Sequence, residues 1–470
     1  MTEPSTPRRE TAAEGHGEGS APDPGEGLRR VLGPFDATCV VVGAIVGVGI
    51  FFTPTRVATL AGSGGLTLLA WAMGGTIALL GALTFAELGG LVTGSGSQYR
   101  ILRESYGPFV AFLYVFCNAT AIQAGAIAII ALVCAMNLGV MVTGHVPGTA
   151  TLTLLATILI VLLVLANIAG VKWGSAIQNL TVLAKILALL AVTAMAALLG
   201  KEPVLGSSAL ESTSVSAGSL LFAALVPTLF SFGGWQHALW IGGEVKNPER
   251  NVPRAIVVGV LVVVTVYLLA NWAYLRLLGH QGVASSHAVA ADAVGAVWPS
   301  LGAKVVAGAV AISAFGVLNA QLLSGPRLLY TMARDGRFFR AFGKVHARFS
   351  TPWAAVALLG GLALLLLYLT GQEGVDRLLT GVVFIDGIFF VLTGICIFLL
   401  RKKMPDSPRP VRVPLYPVVP ALFVLGELAV LGGALADPAT RDAAGLGAAW
   451  IGGATLLYLA LFQRRSVPRI

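Results

Sequence analysis

Gly43-Ala44-Ile45-Val46-Gly47-Val48-Gly49-Ile50-Phe51 lies in the middle of the first long apolar run of the chain. Hydrocarbon offers the backbone no water, so three glycines spaced two apart weaken a helix where broken backbone is least tolerated. An interrupted helix at membrane depth is stable only where it lines a cavity, and its amide end then points at an anionic group such as a carboxylate. The stretch reads as half of a substrate site.

The rest of the chain agrees with a membrane setting. It has 470 residues, 56% hydrophobic and 11% charged, with a mean hydropathy of +0.84, the composition of a polytopic membrane protein. The net charge of +9 calls for no nucleic acid. Roughly 24 of the 31 Lys and Arg fall on the side of the N-terminus, an orientation signal that puts the N-terminus in the cytoplasm. Cys39, Cys117, Cys134 and Cys396 sit within apolar runs at neither disulfide-framework nor metal-ligand spacing, and read as core thiols.

Residues 1–32, rich in Gly, Pro, Glu and Ser, read as a disordered cytoplasmic tail, because such a stretch buries too little apolar surface to offset ordering. Apolar runs of spanning length then recur near 36–60, 66–92, 109–139, 150–168, 176–199, 218–244, 254–278, 303–326, 353–370, 375–400, 415–436 and 446–463. Twelve spans return Arg464, Arg465 and Arg469 to the side of the N-terminus. The sixth run holds Pro227-Thr228-Leu229-Phe230-Ser231-Phe232-Gly233-Gly234-Trp235, where Pro disturbs the ladder and paired Gly weakens it. Interruptions five spans apart predict an inverted repeat of five plus five helices over 33–400, with the site at the midplane. Residues 401–470 then supply two additional spans and a short cytoplasmic C-terminus.

These residues resemble a known family. Gly43 to Phe51 with Thr53-Pro54, Phe85-Ala86-Glu87-Leu88, Gly94 to Tyr99, Tyr106-Gly107, Phe230 to Trp235, Glu244 to Arg254 and Leu318-Asn319-Ala320 with Arg327-Leu328 are similar to the amino acid/polyamine/organocation superfamily, especially its L-type amino-acid transporter branch. The resemblance implies an all-α LeuT-type fold and transport of amino acids or related amines by alternating access. It implies that the backbone of Val46, Gly47, Val48 and Gly49 meets a substrate carboxylate, and that carbonyls around Phe230, Ser231, Phe232 and Gly233 meet its ammonium. Phe230 matches an aromatic lid, which also gates the site, and Gly125 and Ala126 match the side-chain pocket, though small residues there equally suit a helix contact. Relatives usually carry Ser or Thr where this chain has Val48.

Three ionisable groups follow from the same comparison. Asp386 stands where the L-type branch has a neutral amide, and is read as facing the cavity and favouring a cationic substrate group, or else as pairing with another polar residue. Lys185, deep in the fifth span, matches the lysine that occupies the sodium position of sodium-independent relatives, and implies coupling by a cycling proton or a fixed positive charge; a lysine snorkelling to an interface is the alternative. Glu87 and Glu244 are read as pairing with inner-loop Arg or Lys and shaping the inner gate. No HExxH, paired acidic motif with His, or GxSxG in context supports an enzyme, and no cofactor is implied. A non-transporting amino-acid sensor and an amine or polyamine carrier remain the rival readings. The outer loop Met141 to Pro147 lacks the cysteine with which eukaryotic L-type relatives bond a glycoprotein, so no disulfide-linked heavy chain is expected in what reads as a stand-alone carrier of a bacterial-type plasma membrane.

Overall fold

The computed structural model describes residues 27–204, 216–299, 302–436 and 438–463; the side chains of Phe230, 370–383, 434, 436 and 438–444 lie outside that description. The helices are α1 (Pro34–Ile45), α2 (Gly49–Ala61), α3 (Gly64–Leu91), α4 (Ser97–Tyr106), α5 (Pro108–Cys117), a π-helical turn (Asn118–Gln123), α6 (Ala124–Thr143), α7 (Thr149–Ile168) and α8 (Val171–Leu199). They continue as α9 (Ala217–Phe232), α10 (His237–Trp240), α11 (Pro248–Ser285), α12 (Val289–Gly295), α13 (Gly302–Ser324), α14 (Pro326–Arg334), a 3₁₀ turn (Arg340–Gly343), α15 (Trp353–Lys403), α16 (Val418–Ala436) and α17 (Pro438–Leu461). In hydrocarbon only a helix satisfies its own backbone, so each apolar run becomes one. Pro34, Pro108, Pro248 and Pro326 open four of them, at the position where a missing N–H costs nothing.

Seven helices among the described residues are long and apolar enough to cross a membrane. The pair α1 and α2, bent by 47°, makes an eighth, and shorter apolar helices at 217–229, 353–369, 418–433 and 445–461 bring the spans to twelve. α15, with 51 residues, is far longer than one crossing and holds two apolar stretches, 353–369 and 384–403. The protein is an all-α, multi-pass membrane protein. α1 lies among α8, α11 and α13, α2 lies against α9 and α11, and α6 closes against α13 and α15. The interrupted first and sixth spans thus sit inside a frame of unbroken helices, while α16 and α17 pack outside it against α3, α5 and α15.

Two expectations need correction. Pro227 does not break the sixth span: α9 runs through it to Phe232, and the interruption falls at Gly233 and Gly234. A proline removes one donor and crowds the preceding turn, but a helix end several residues further on is set by the glycines. The tail expected to extend to residue 32 also ends earlier. Leu28 and Leu32 are buried, the amides of Val31 and Leu32 both donate to Glu244 O at 2.9 Å, and Lys246 N donates back to Leu32 O at 2.9 Å. Two leucines in a polar stretch are enough to dock its last residues beside the end of the sixth span. The tail's first 26 residues lie outside the described residues.

Candidate substrate site at the paired helix breaks

The helical ladder of α1 stops because Gly47 N turns back to Ile45 O at 2.7 Å instead of reaching Gly43 O four residues behind. Val46, at φ −72° and ψ 81°, is the centre of this inverse γ-turn. Four carbonyls around the break, those of Gly43, Ile45, Val46 and Gly47, are claimed by three scaffold side chains. Lys185 Nζ on α8 donates to Gly43 O at 3.0 Å and Val46 O at 2.5 Å. Tyr267 Oη on α11 donates to Ile45 O at 2.9 Å, and Ser313 Oγ on α13 reaches Val46 O at 3.2 Å and Gly47 O at 3.3 Å.

The amide side of the break is left differently. α2 begins at Gly49 with Val48 as its cap, and no side chain caps it. The N–H groups of Gly49 and Ile50, at the positive end of the helix dipole, have no acceptor among the described residues, while Phe51 N donates to Val48 O at 3.1 Å. Gly43 plays a different part, because a Cβ there would fall on the Gln178 amide; this glycine admits α8 rather than a ligand.

The sixth span meets the first at this level. Gly234 has φ 133°, and a Cβ on it would come within 2.9 Å of Ala44 C and 3.0 Å of Ile45 N, so the two chains cross in backbone contact. Ser231 faces Gly49, with its Oγ 3.7 Å from where a Gly49 Cβ would lie. The last carbonyls of α9, those of Ser231 and Phe232, meet no donor among the described residues. The negative end of α9 thus opposes the positive end of α2. Only the backbone of Phe232 serves the break, since its ring packs between Trp71 and Tyr267 at 5.9 and 5.2 Å. The side chain of Phe230, expected as a lid, lies outside the described residues.

The remaining candidates fall in three places. Gly125 and Ala126 follow directly on the π-helical turn of the third span; Gly125 is buried, Ala126 half-buried, and the neighbouring Ala124, Ile127 and Ala128 belong to the core cluster against which Val48 packs. Lys185 is 1% exposed, and a cavity of about 450 Å³ lined by Ala184, Ala188, Lys304, Gly308 and Ile312 runs along its stem. Glu87 and Glu244 lie away from the breaks. Arg327 donates to Glu244 from Nε and Nη2 at 2.8 and 2.9 Å in a fully buried pair, and Arg401 donates to Glu87 at 2.8 and 2.6 Å, where Val413 N also donates at 2.7 Å. Asp386, half-buried, has Tyr114 and Glu427 within electrostatic range. Among the described residues no group of three or more His, Cys, Asp and Glu stands together to hold a metal ion.

Sequence reasoning missed Tyr267, Ser313, Gln178 and Gln98. Gln98 Oε1 accepts from Tyr114 Oη at 2.7 Å and Trp240 Nε1 at 2.8 Å, while its Nε2 donates to Thr393 at 3.0 Å, joining the third, sixth and tenth spans. Each is a polar residue within or beside an apolar run, and that alone was a signal. Its partner, 222 residues away for Tyr267, was not legible.

Residues 32–451 match the sequence profile of the amino acid permease family. The serine/threonine exchanger SteT of Bacillus subtilis is 31% identical over 412 residues, covering 87% of this chain and 92% of that one. The b(0,+)-type amino acid transporter 1 of Mus musculus is 30% identical over 88% of this chain and 84% of its own, and the human large neutral amino acids transporter small subunit 2 is 31% identical over 87% and 78%. Among solved structures, Mhp1, a nucleobase-cation-symport-1 family transporter in a closed conformation with bromovinylhydantoin bound, superposes with a TM-score of 0.53 over 91% of this chain and 96% of that chain at 16% identity. The fold is the LeuT-type five-plus-five inverted repeat.

Proposed function

The chain belongs to the amino acid permease family, and on that premise we propose that it carries amino acids across the plasma membrane by alternating access, without sodium, coupled to protons or to exchange. One observation carries the reading: the unsatisfied amides at the start of α2 face the unsatisfied carbonyls at the end of α9, across two breaks in backbone contact. A zwitterion bridges that gap. Its carboxylate sits on the amides of Val48 and Gly49, beside Gly47, whose own amide is turned to Ile45 O, and its ammonium on the carbonyls of Phe230, Ser231, Phe232 and Gly233. The backbone turn at Val46 holds the two halves at the angle this needs. Gly125 and Ala126 line the side-chain pocket, and Phe230 closes over the substrate. The relatives named as a serine/threonine exchanger and as neutral amino-acid transporters support small or neutral side chains and exchange.

Lys185 is the coupling residue. Its ammonium stands on the first break, where a cation would serve the same two carbonyls, so a sodium ion has no vacant place there. The Glu244–Arg327 and Glu87–Arg401 pairs tie the inner ends of the spans and act as the inner gate. A cationic amino-acid or amine carrier would instead need Asp386 ionised and facing the substrate. The N- and C-termini are cytoplasmic, lipid is the surrounding medium, and no disulfide-linked heavy chain takes part.

A competition panel tests this: purified protein in liposomes, one labelled neutral amino acid, unlabelled amino acids and polyamines as competitors, with and without sodium and a pH gradient. Neutral amino acids should compete best and sodium should have no effect. Binding without movement of label into the lumen would make the protein a sensor, and competition by polyamines alone would make it an amine carrier.

A further inference from the structure

The substrate site makes no use of a carboxylate that lies at the middle of α16. Glu427 is 9% exposed, on the face turned from the exposed Leu425 and Leu428. The residues one turn away on its own face are fixed by packing. Phe423 lies against Phe85 and Trp235, and Leu431 stands over Gly387, where a Cβ would come within 2.8 Å of it. Gly394 meets Phe423 and Val424 in the same way, so 384–403 and α16 run antiparallel in a fixed register. In that register Asp386, the neighbour of Gly387, lies between one and two turns along the same joint from Glu427, within electrostatic range of it.

Neither carboxyl has a hydrogen-bond or cationic partner among the described residues. Among the described side chains, the titratable groups on the surrounding elements are accounted for. α3 offers Glu87, held by Arg401 at the inner end; α5 offers Tyr114, whose hydroxyl is given to Gln98; α17 offers Tyr458, packed on Phe109 and Phe112; and α9 has none, while the side chains of Glu373, Asp376 and Arg377 on α15 and of Arg441 and Asp442 on α17 lie outside the description. Glu427, a buried carboxylate with neither a donor nor a cation, is costly in the ionised form, and half-buried Asp386 in range of it adds repulsion. A bound proton removes both costs at once.

We propose that Asp386 and Glu427 form a proton-binding carboxyl pair at the joint between the ten-helix core and the last two spans, through which transport responds to pH. The transport part rests on the carrier reading above; the proton site itself does not.

Dicyclohexylcarbodiimide separates the two. The reagent takes the acid proton on one nitrogen while the carboxyl oxygen bonds its central carbon, and acyl migration to the second nitrogen leaves a stable N-acylurea with no leaving group. An ionised carboxylate lacks the proton the addition requires. In liposomes of the full chain, peptide mass spectrometry should find the adduct at Glu427 or Asp386, its yield falling as pH is raised from about 6 to about 9 and shifting in Asp386→Asn. In Glu427→Gln the response of uptake to a one-unit pH step, about tenfold for a single titrating site, should fall to within about twofold, with exchange at fixed pH kept. No adduct at either carboxyl, or a wild-type pH response in Glu427→Gln, overturns the proposal. If the wild type moves no label at all, the carrier reading fails and the adduct alone decides the proton site.

Discussion

Replacing Lys185 separates its structural role from its electrical one. Its ammonium stands in for the helical donor that Gly43 O loses when Gly47 N turns to Ile45 O. In Lys185→Met, Val46 O keeps Ser313 at 3.2 Å, but Gly43 O is left in the apolar interior without that donor. One orphaned buried carbonyl costs about 1–3 kcal/mol. Taking about 2 kcal/mol as the bias against the broken conformation, substrate binding should weaken about 30-fold. Lys185→Gln is the informative partner, because a neutral amide has two N–H groups for the same carbonyls but neither a charge nor a proton to cycle. Binding measured with labelled amino acid on detergent-purified protein should be largely restored in Lys185→Gln, whereas uptake driven by a pH gradient in liposomes should not be. If Lys185→Met binds with wild-type affinity, the lysine does not support the break. If Lys185→Gln responds to a pH gradient like the wild type, its charge is not part of coupling.

Three further outcomes are expected. Gly234→Ala places a Cβ at φ 133° within 2.9 Å of Ala44 C, so uptake should be lost and thermal stability should fall by more than about 2 kcal/mol, as read by melting of the purified protein. Arg327→Met leaves the Glu244 carboxylate buried without its cation and should destabilise by about 3–5 kcal/mol, while Arg327→Met with Glu244→Leu should recover much of that loss in the same melting assay. Tyr267→Phe removes a single donor from Ile45 O, which keeps the Gly47 amide, so affinity should drop by no more than about tenfold with melting nearly unchanged.

What could be read in the sequence was what is local. Apolar runs report spans because each helix satisfies its own backbone, and Gly47, Gly49 and Gly233-Gly234 report breaks because the loss of Cβ acts on the residue itself. What could not be read depends on a second element. Gly43 resembles its neighbours in the motif, yet it is small because Gln178 occupies the space beside it. Leu28 and Leu32 look like part of a polar tail until the chain at Glu244 to Lys246 offers them a backbone to pair with. Pro227 was the strongest local breaker in the sixth span, but α9 tolerates it and ends where Gly234 must approach Ala44.

The capture of carbonyls at the first break also bears on substrate class. Lys185, Tyr267 and Ser313 supply donors to the carbonyls of Gly43, Ile45, Val46 and Gly47, and the Ala44 carbonyl lies against Gly234, 3.1 Å from where a Cβ there would stand, so α1 presents few open acceptors to a ligand. The amides of Gly49 and Ile50 at the start of α2 have no such partners among the described residues, and a ligand with an acceptor relieves them. An amine lacking a carboxylate satisfies α9 and leaves α2 as it was. Forgoing even one such amide bond to a charged acceptor is worth about 1.5–3 kcal/mol, or roughly ten- to a hundredfold in affinity. Backbone polarity at the two breaks therefore favours amino acids over plain amines whatever hydroxyl is missing at Val48, and a decarboxylated analogue of a transported amino acid that competes as well as its parent would contradict that assignment.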